Sequence, residues 1–203
     1  MINFSQLFSP TILLIFLVGC ESTSSNQASI QWENHQQKLA NIQNYQAIGK
    51  IRYISIREKK SLNFQWEHTS KSSNLRLTNL FGQTVLNLYI SSEGVRIITR
   101  DYQTVIDSNA ILSMQKIIGL TMPVMQMQDW ILGKPNNSDA YQLNKNYILV
   151  SLSKQIHKQL WKLEYLAYQN VIFDRTTLPL PKEIKLQHDN TKFHLIISKW
   201  TFN

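Results

Sequence analysis

Stretches in which apolar and polar residues alternate recur along most of the chain. In SLNFQWEH the apolar residues are Leu62, Phe64 and Trp66, and in WKLEYLAY they include Trp161 and Tyr165. A period of two in segments rich in β-branched and aromatic residues is typical of strands with one buried face. We predict strands at residues 49–56, 61–68, 75–78, 84–90, 95–100, 147–152, 160–168, 183–188 and 192–200.

Three segments have helical periodicity instead. Residues 30–42 place apolar side chains on one side, with Ser29 as the predicted N-cap. Residues 110–118 and 123–132 form a second and a third predicted helix in the middle of the chain. Gly133 and Pro135 end the third, because glycine suits the position after a helix and proline blocks its continuation.

These elements predict a mainly β (α+β) fold with about nine to eleven antiparallel strands in a single domain, residues 30–203. Strands with one apolar face need a cover, and three helices are too few to cover both faces of a sheet. We therefore expect an incomplete barrel, or half-barrel, with helices across its concave side over a hydrophobic cavity.

The amino-terminal residues are typical of an exported lipoprotein. Residues 11–19 are apolar but too short to span a bilayer, as in a signal peptide, which we place at residues 1–19. The sequence Leu17-Val18-Gly19-Cys20 resembles the bacterial lipobox, in which the cysteine accepts a diacylglycerol. Cys20 is thus the predicted lipidation site, and residues 20–29 are the predicted flexible tether. The residue after the cysteine is Glu21 rather than aspartate, which favours sorting to the outer membrane. We therefore expect the protein to be lipid-anchored at the periplasmic face of that membrane.

Composition and charge narrow the function further. The chain is 43% hydrophobic with a formal net charge of +8, which implies affinity for an anionic surface, either nucleic acid, phospholipid head groups or an acidic protein partner. A single cysteine excludes an internal disulfide and a cysteine-cluster metal site. No phosphate-binding glycine loop, GxSxG elbow or HExxH pair occurs, and the five histidines are predicted to be solvated. We predict no catalytic residue, metal site, cofactor or nucleic-acid partner.

The turn Asn79-Leu80-Phe81-Gly82 has an unusual composition, because two large apolar residues stand where turn-forming residues are expected. Leu80 and Phe81 either fold back onto the core or form an exposed apolar tip that enters a membrane or a partner's pocket. Burial of both side chains would contribute about 3–5 kcal/mol, enough for transient attachment only.

The aromatic residues are also open to two interpretations. Each is simplest as a core residue, yet a half-barrel closed by three helices leaves an apolar cavity that would accept acyl chains. The residues predicted to line such a cavity are Phe64, Trp66, Trp130, Trp161 and Tyr165.

Together these features resemble the LolB family of outer-membrane lipoprotein receptors. The resemblance runs from about Trp32 to Trp200 and rests mainly on LTNLFG and QDWILGKP, supported by NFQWEH, WKLEYLAY, LPLPKEIKL and LIISKW. It implies a half-barrel of about 11 strands and a transfer function without catalysis. The receptor, acting as a monomer, would accept lipoproteins from the periplasmic carrier LolA through affinity-driven passage of their acyl chains. It would then insert them into the outer membrane.

The resemblance also assigns roles to particular residues. Leu80 and Phe81 match the loop that the family needs for insertion. Basic side chains would speed encounter with the carrier or bind phospholipid head groups, and they are Lys50, Arg52, Arg76, Arg96 and Arg100. An alternative is a lipid-binding or scaffolding lipoprotein of the same fold without a role in sorting.

Overall fold

One antiparallel sheet organises the computed structural model, which describes residues 23–99, 104–107 and 122–202. Within those ranges the sheet has eleven strands. They are β1 Tyr45–Ile54, β2 Lys59–His68, β3 Ser72–Thr78, β4 Thr84–Ser91, β5 Gly94–Thr99, β6 Thr104–Asp107, β7 Ala140–Leu143, β8 Leu149–Ile156, β9 Gln159–Phe173, β10 Thr176–His188 and β11 Thr191–Phe202. No helix in the described ranges is long and apolar enough to cross a membrane.

The strand order joins two meanders through the first and last strands. The order is β6-β5-β4-β3-β2-β1-β11-β10-β9-β8-β7, and β1 pairs with β11 from Tyr45↔Phe202 to Ile54↔Lys192. Each meander is built from consecutive hairpins, the simplest antiparallel connection. β6 and β7 therefore lie at opposite edges of the sheet.

The hairpin turns lie at two opposite ends of the strands. We call the end that bears the β1–β2, β3–β4, β8–β9 and β10–β11 turns the tip end, and the end that bears the β2–β3, β4–β5 and β9–β10 turns the far end. This division follows from the antiparallel register alone.

Alternation within the strands produces one buried and one solvated face, as predicted. In β9 the residues from Trp161 to Tyr165 are alternately buried and exposed, and β2 buries Leu62, Phe64 and Trp66. The buried face meets two described helices, α1 (Thr23–Ala40) and α2 (Val124–Trp130). α2 follows Pro123, and Gly133 beyond it has φ +82°, a conformation that suits glycine at a helix end.

α1 differs from its predicted bounds. It begins at Thr23 instead of residue 30 and ends at Ala40, so the described part of the predicted tether is helical. No glycine or proline occurs between residues 21 and 42, and nothing in that stretch stops the helix from extending. Cys20, the signal peptide and the predicted helix at 110–118 lie outside the described residues.

Two short strands and several strand extensions were not predicted, and the longest extensions are at the start of β10 and the end of β9. β6 and β7 have four residues each and lie at the sheet edges, where β7 is mostly exposed and lacks alternation. β10 begins at Thr176 despite Pro179 and Pro181, because its pairing with β11 starts only at Glu183. Pro179 and Pro181 precede this pairing, so the backbone N–H that proline lacks is not needed for a hydrogen bond to β11.

Candidate functional site

The β3–β4 loop projects two apolar side chains into solvent. Leu80 is 73% exposed and Phe81 is 89% exposed. Of the two alternatives that the sequence left open, the structure therefore shows the exposed tip. Gly82 follows with φ +78° and lets the chain turn back into β4.

Asn79 fixes the shape of this loop. Its Oδ1 accepts hydrogen bonds from the backbone N–H groups of Phe81 and Gln83, both at 3.0 Å, and its Nδ2 donates to Gln83 Oε1 at 2.9 Å. The backbone N–H of Gly82 donates to Asn79 O at 3.0 Å. Since these bonds tie both ends of the loop to one residue, Leu80 and Phe81 are held outward on a braced turn.

Basic side chains surround the base of the tip. Leu80 borders a groove of about 140 Å³ on the outer face of the sheet, together with Lys50, Arg52 and His194. Arg76 donates from Nε and Nη2 to Thr84 Oγ1 at 3.2 and 3.0 Å, beside the loop. Arg96 is also exposed on the outer face, whereas Arg100 lies outside the described residues.

The five residues predicted to line a cavity all lie on the inner, apolar side of the sheet. Each is between 0% and 6% exposed. They come from β2, α2 and β9, and they are Phe64, Trp66, Trp130, Trp161 and Tyr165. In this structure they pack in one apolar cluster with the other buried side chains, and their contact with an acyl chain stays a prediction.

Two buried tyrosines hold α2 against this inner face. Tyr45 donates its hydroxyl to Gln128 O at 2.9 Å, and Tyr165 donates to Trp130 O at 2.7 Å. Burial raises the pKa of both hydroxyls well above the usual value, and the negative charge of Asp129 adds to the effect. Both groups therefore remain protonated donors, and α2 is attached to the sheet by two hydrogen bonds as well as by packing.

The histidines are less solvated than the sequence predicted. His68 is half-buried against Tyr45, with ring centroids 5.2 Å apart, and burial lowers its pKa. His188 on β10 is partly buried beside Asp189 in the β10–β11 turn, and His194 on β11 is partly buried beside Glu183 on β10. The prediction holds for His157, which is exposed. It was wrong for the three named above, because His68 packs on Tyr45, His188 packs on Trp161 and His194 pairs with Glu183. In the described ranges no group of three or more histidine, cysteine or acidic side chains could hold a metal ion.

Comparison with known proteins places the chain in a family. The family described as "Outer membrane lipoprotein LolB" matches residues 43–200, which include the whole sheet apart from its last two residues. The chain belongs to the LolB family. It is 41% identical over 190 residues to the outer-membrane lipoprotein LolB of Vibrio vulnificus (strain YJ016), and the match covers 94% of each chain.

Solved structures show that this LolB-family fold is shared more widely. A putative outer membrane lipoprotein-sorting protein domain from Vibrio parahaemolyticus superposes with a TM-score of 0.54 at 10% identity, covering 87% of this chain and 93% of that one. A LolA superfamily protein from Nitrosomonas europaea gives 0.52 at 9% identity, covering 84% and 93%. At such low identity these likenesses establish the fold alone, and they agree with the predicted half-barrel.

Two structural features near the tip of this LolB-family chain were missed at the level of sequence. The bracing of the tip by Asn79 has a signal in hindsight, since asparagine favours turns by bonding to backbone two residues ahead. The second is Ile56, which is 82% exposed in the β1–β2 turn. Its segment was predicted as the end of a strand, so its exposure had no sequence signal.

Proposed function

We propose that this chain accepts lipoproteins from a LolA-type periplasmic carrier and inserts them into the outer membrane, working as a monomer anchored through acylated Cys20. The observation that supports this most strongly is the braced, exposed pair Leu80 and Phe81 beside an apolar inner face in a LolB-family fold. The transfer moves acyl chains between sites without making or breaking a covalent bond, so the proposal includes no catalytic step.

Acceptance would use the inner face of the sheet. Acyl chains gain about 0.8 kcal/mol for each CH₂ group that leaves water, so an apolar surface can bind them without specific polar contacts. α2 covers that surface through packing and two tyrosine hydrogen bonds, each worth about 0.5–1.5 kcal/mol net. Displacing a helix held in this way would expose Trp130 and its neighbours to the incoming chain.

The direction of transfer would follow from affinity alone. A difference of about 1.4 kcal/mol between carrier and receptor corresponds to a tenfold preference, so a modestly tighter receptor empties the carrier without ATP. Basic side chains on the outer face, including Lys50, Arg52 and Arg76, would accelerate the encounter with the carrier.

Delivery would use the tip. Burial of Leu80 and Phe81 in the bilayer contributes about 3–5 kcal/mol, which supports a transient contact and allows release. The tip would thus bring the loaded inner face close to the lipid for the short time that the cargo needs to leave.

The delivery step can be tested with the protein lacking residues 1–20, a carrier loaded with radiolabelled lipoprotein, and liposomes. We expect Phe81→Glu to accept the cargo normally but to deliver it to liposomes about tenfold more slowly or worse, since a charged side chain cannot enter the hydrocarbon. Ile172→Glu is the matched control, because Ile172 is 70% exposed at the far end. Normal delivery by Phe81→Glu would show that the tip has no part in insertion.

A further inference from the structure

The β1–β2 turn presents an apolar side chain in much the same way as the tip does. Ile56 is 82% exposed, second only to Phe81 among the exposed large apolar residues in the described ranges. The turn is ordered, because Ser55 Oγ accepts from the backbone N–H groups of Arg57 and Glu58 at 3.3 and 3.2 Å. The backbone N–H of Ser55 also donates to Glu58 O at 2.9 Å. Ile56 is therefore held outward by a closed turn.

Ile56 and Phe81 lie at the same end of the sheet. β2 pairs with β1 at Lys59↔Ile54 and with β3 at Asn63↔Thr78, so both turns belong to the tip end. β2 extends four residues beyond Asn63 to Lys59, about 13 Å at the rise of a strand. The β1–β2 turn thus reaches at least as far from the centre of the sheet as the tip does.

The course of α1 brings the predicted lipid anchor toward this end as well. Trp32 stacks on Tyr141, with ring centroids 5.7 Å apart, and Tyr141 pairs with Leu152 of β8. Followed across the strands, the register of Leu152 leads to Tyr53, next to the tip end of β1. The other end of α1 leads into Tyr45, at the far end of β1. α1 therefore runs from the tip end toward the far end.

Chain length then limits where the anchor can attach. Thr23 lies nine residues before Trp32, about 14 Å along the helix in the direction that leads away from Tyr45 and the far end. Cys20 precedes Thr23 by three residues, and three residues of chain reach at most about 10 Å. An acylated Cys20 would hold the tip end toward the bilayer.

The charge around Ile56 suits an anionic surface. The turn and the start of β2 include Arg57, Lys59 and Lys60 but a single carboxylate, that of Glu58. Glu58 pairs with Lys60 at 2.8 Å, whereas Arg57 and Lys59 are exposed and have no carboxylate partner within the described ranges. Each such cation raises the affinity of a protein for a membrane that contains anionic lipid about fivefold.

We propose that Ile56 is a second apolar membrane contact, which acts with Phe81 and the flanking Arg57 and Lys59 to dock the tip end on anionic phospholipid. This inference rests on the proposed function, in which the tip faces the bilayer. A membrane fits better than a protein partner because the apolar side chains stand on separate turns. Fluid lipid can close around each, whereas a protein interface needs a contiguous buried core.

The experiment uses the mature, acylated protein reconstituted in vesicles of phosphatidylethanolamine mixed with phosphatidylglycerol. Because Cys20 is the only cysteine and acylation consumes its thiol, an introduced cysteine is the single site for an environment-sensitive fluorophore. The variants are Ile56→Cys, Phe81→Cys and, as the matched control at the far end, Ile172→Cys. The unsubstituted protein should take up no label.

We expect blue-shifted emission and protection from aqueous iodide at positions 56 and 81, and neither effect at position 172. Replacing phosphatidylglycerol with phosphatidylcholine, or raising the salt from about 0.1 M to about 1 M, should reduce the protection at position 56 because the charge attraction is then lost or screened. A label at 56 that stays in water while the label at 81 is protected overturns the second contact and leaves the proposed function intact.

Two other outcomes separate the ideas further. If neither 56 nor 81 is protected, the tip itself does not enter lipid and the delivery step of the proposed function is wrong as well. If position 56 becomes protected only when the carrier is added, and never by lipid alone, this surface binds a protein and the membrane proposal fails.

Discussion

Asn79 shows how one side chain can turn an apolar loop into a projecting tip. It accepts from two backbone N–H groups and donates to the side chain of Gln83, so the loop does not need Leu80 or Phe81 to pack on the core. Sequence reasoning found the unusual apolar pair but left its placement open. The pair's exposure depends on these hydrogen bonds, and a pattern of hydrophobicity does not contain them.

We expect Asn79→Ala to lower the free energy of unfolding by about 1–2 kcal/mol, because two backbone N–H groups lose their acceptor. Asn79→Asp keeps the acceptor oxygen and should lose less than half as much. Urea unfolding at neutral pH measures both. Equal losses in the two variants would mean that the donor group, and not the Oδ1 acceptor, braces the loop.

Gly49 lies where β1 pairs with β11 and the two meanders meet, and this position tolerates no side chain. The register between these strands shifts at Ile48/Gly49, a β-bulge. A Cβ at Gly49 would lie 2.1 Å from Ile196 O and 2.8 Å from Phe64 Cε1. The close approach of backbone to backbone at the bulge leaves no room for any side chain.

Gly49→Ala should therefore destabilise the fold by about 3 kcal/mol, measured as a lower midpoint of urea unfolding. The matched control is Gly94→Ala at the β4–β5 turn, where φ is +124° but no atom lies within 4 Å of the added Cβ. Its cost is backbone strain alone, about 1–2 kcal/mol. If Gly49→Ala proves no more costly than Gly94→Ala, β1 and β11 are less tightly joined at the bulge than we describe.

At the scale of elements, the sequence predicted where the inner strands lie because burial enforces their alternation. It predicted β9 and β10 too short by several residues. It missed β6 and β7, because a short strand at a sheet edge has one neighbour and need not alternate apolar with polar residues. It also began α1 too late, because a polar run free of glycine and proline is compatible with both a tether and a helix. The half-barrel prediction was confirmed by the order of the strands and by the LolA-superfamily likeness.

At the scale of the whole molecule, the fold keeps two apolar features apart. The inner face supplies apolar surface under a helix, and the tip end collects Phe81, Ile56 and the amino-terminal side of α1. The sequence predicted both the apolar interior and the apolar turn. It could not predict that these exposed groups share one end, because that depends on strand register and on the direction of α1.

The central claim is that acyl chains pass from a carrier to this protein by affinity alone. The most direct measurement mixes a LolA-type carrier, loaded with radiolabelled lipoprotein, with the affinity-tagged protein lacking residues 1–20, in the absence of ATP and liposomes. We predict that most of the label moves to the tagged protein and does not return when empty carrier is added. Label that stays on the carrier, with only phospholipid found on the tagged protein by native mass spectrometry, would contradict the account and indicate a lipid-binding lipoprotein without a role in sorting.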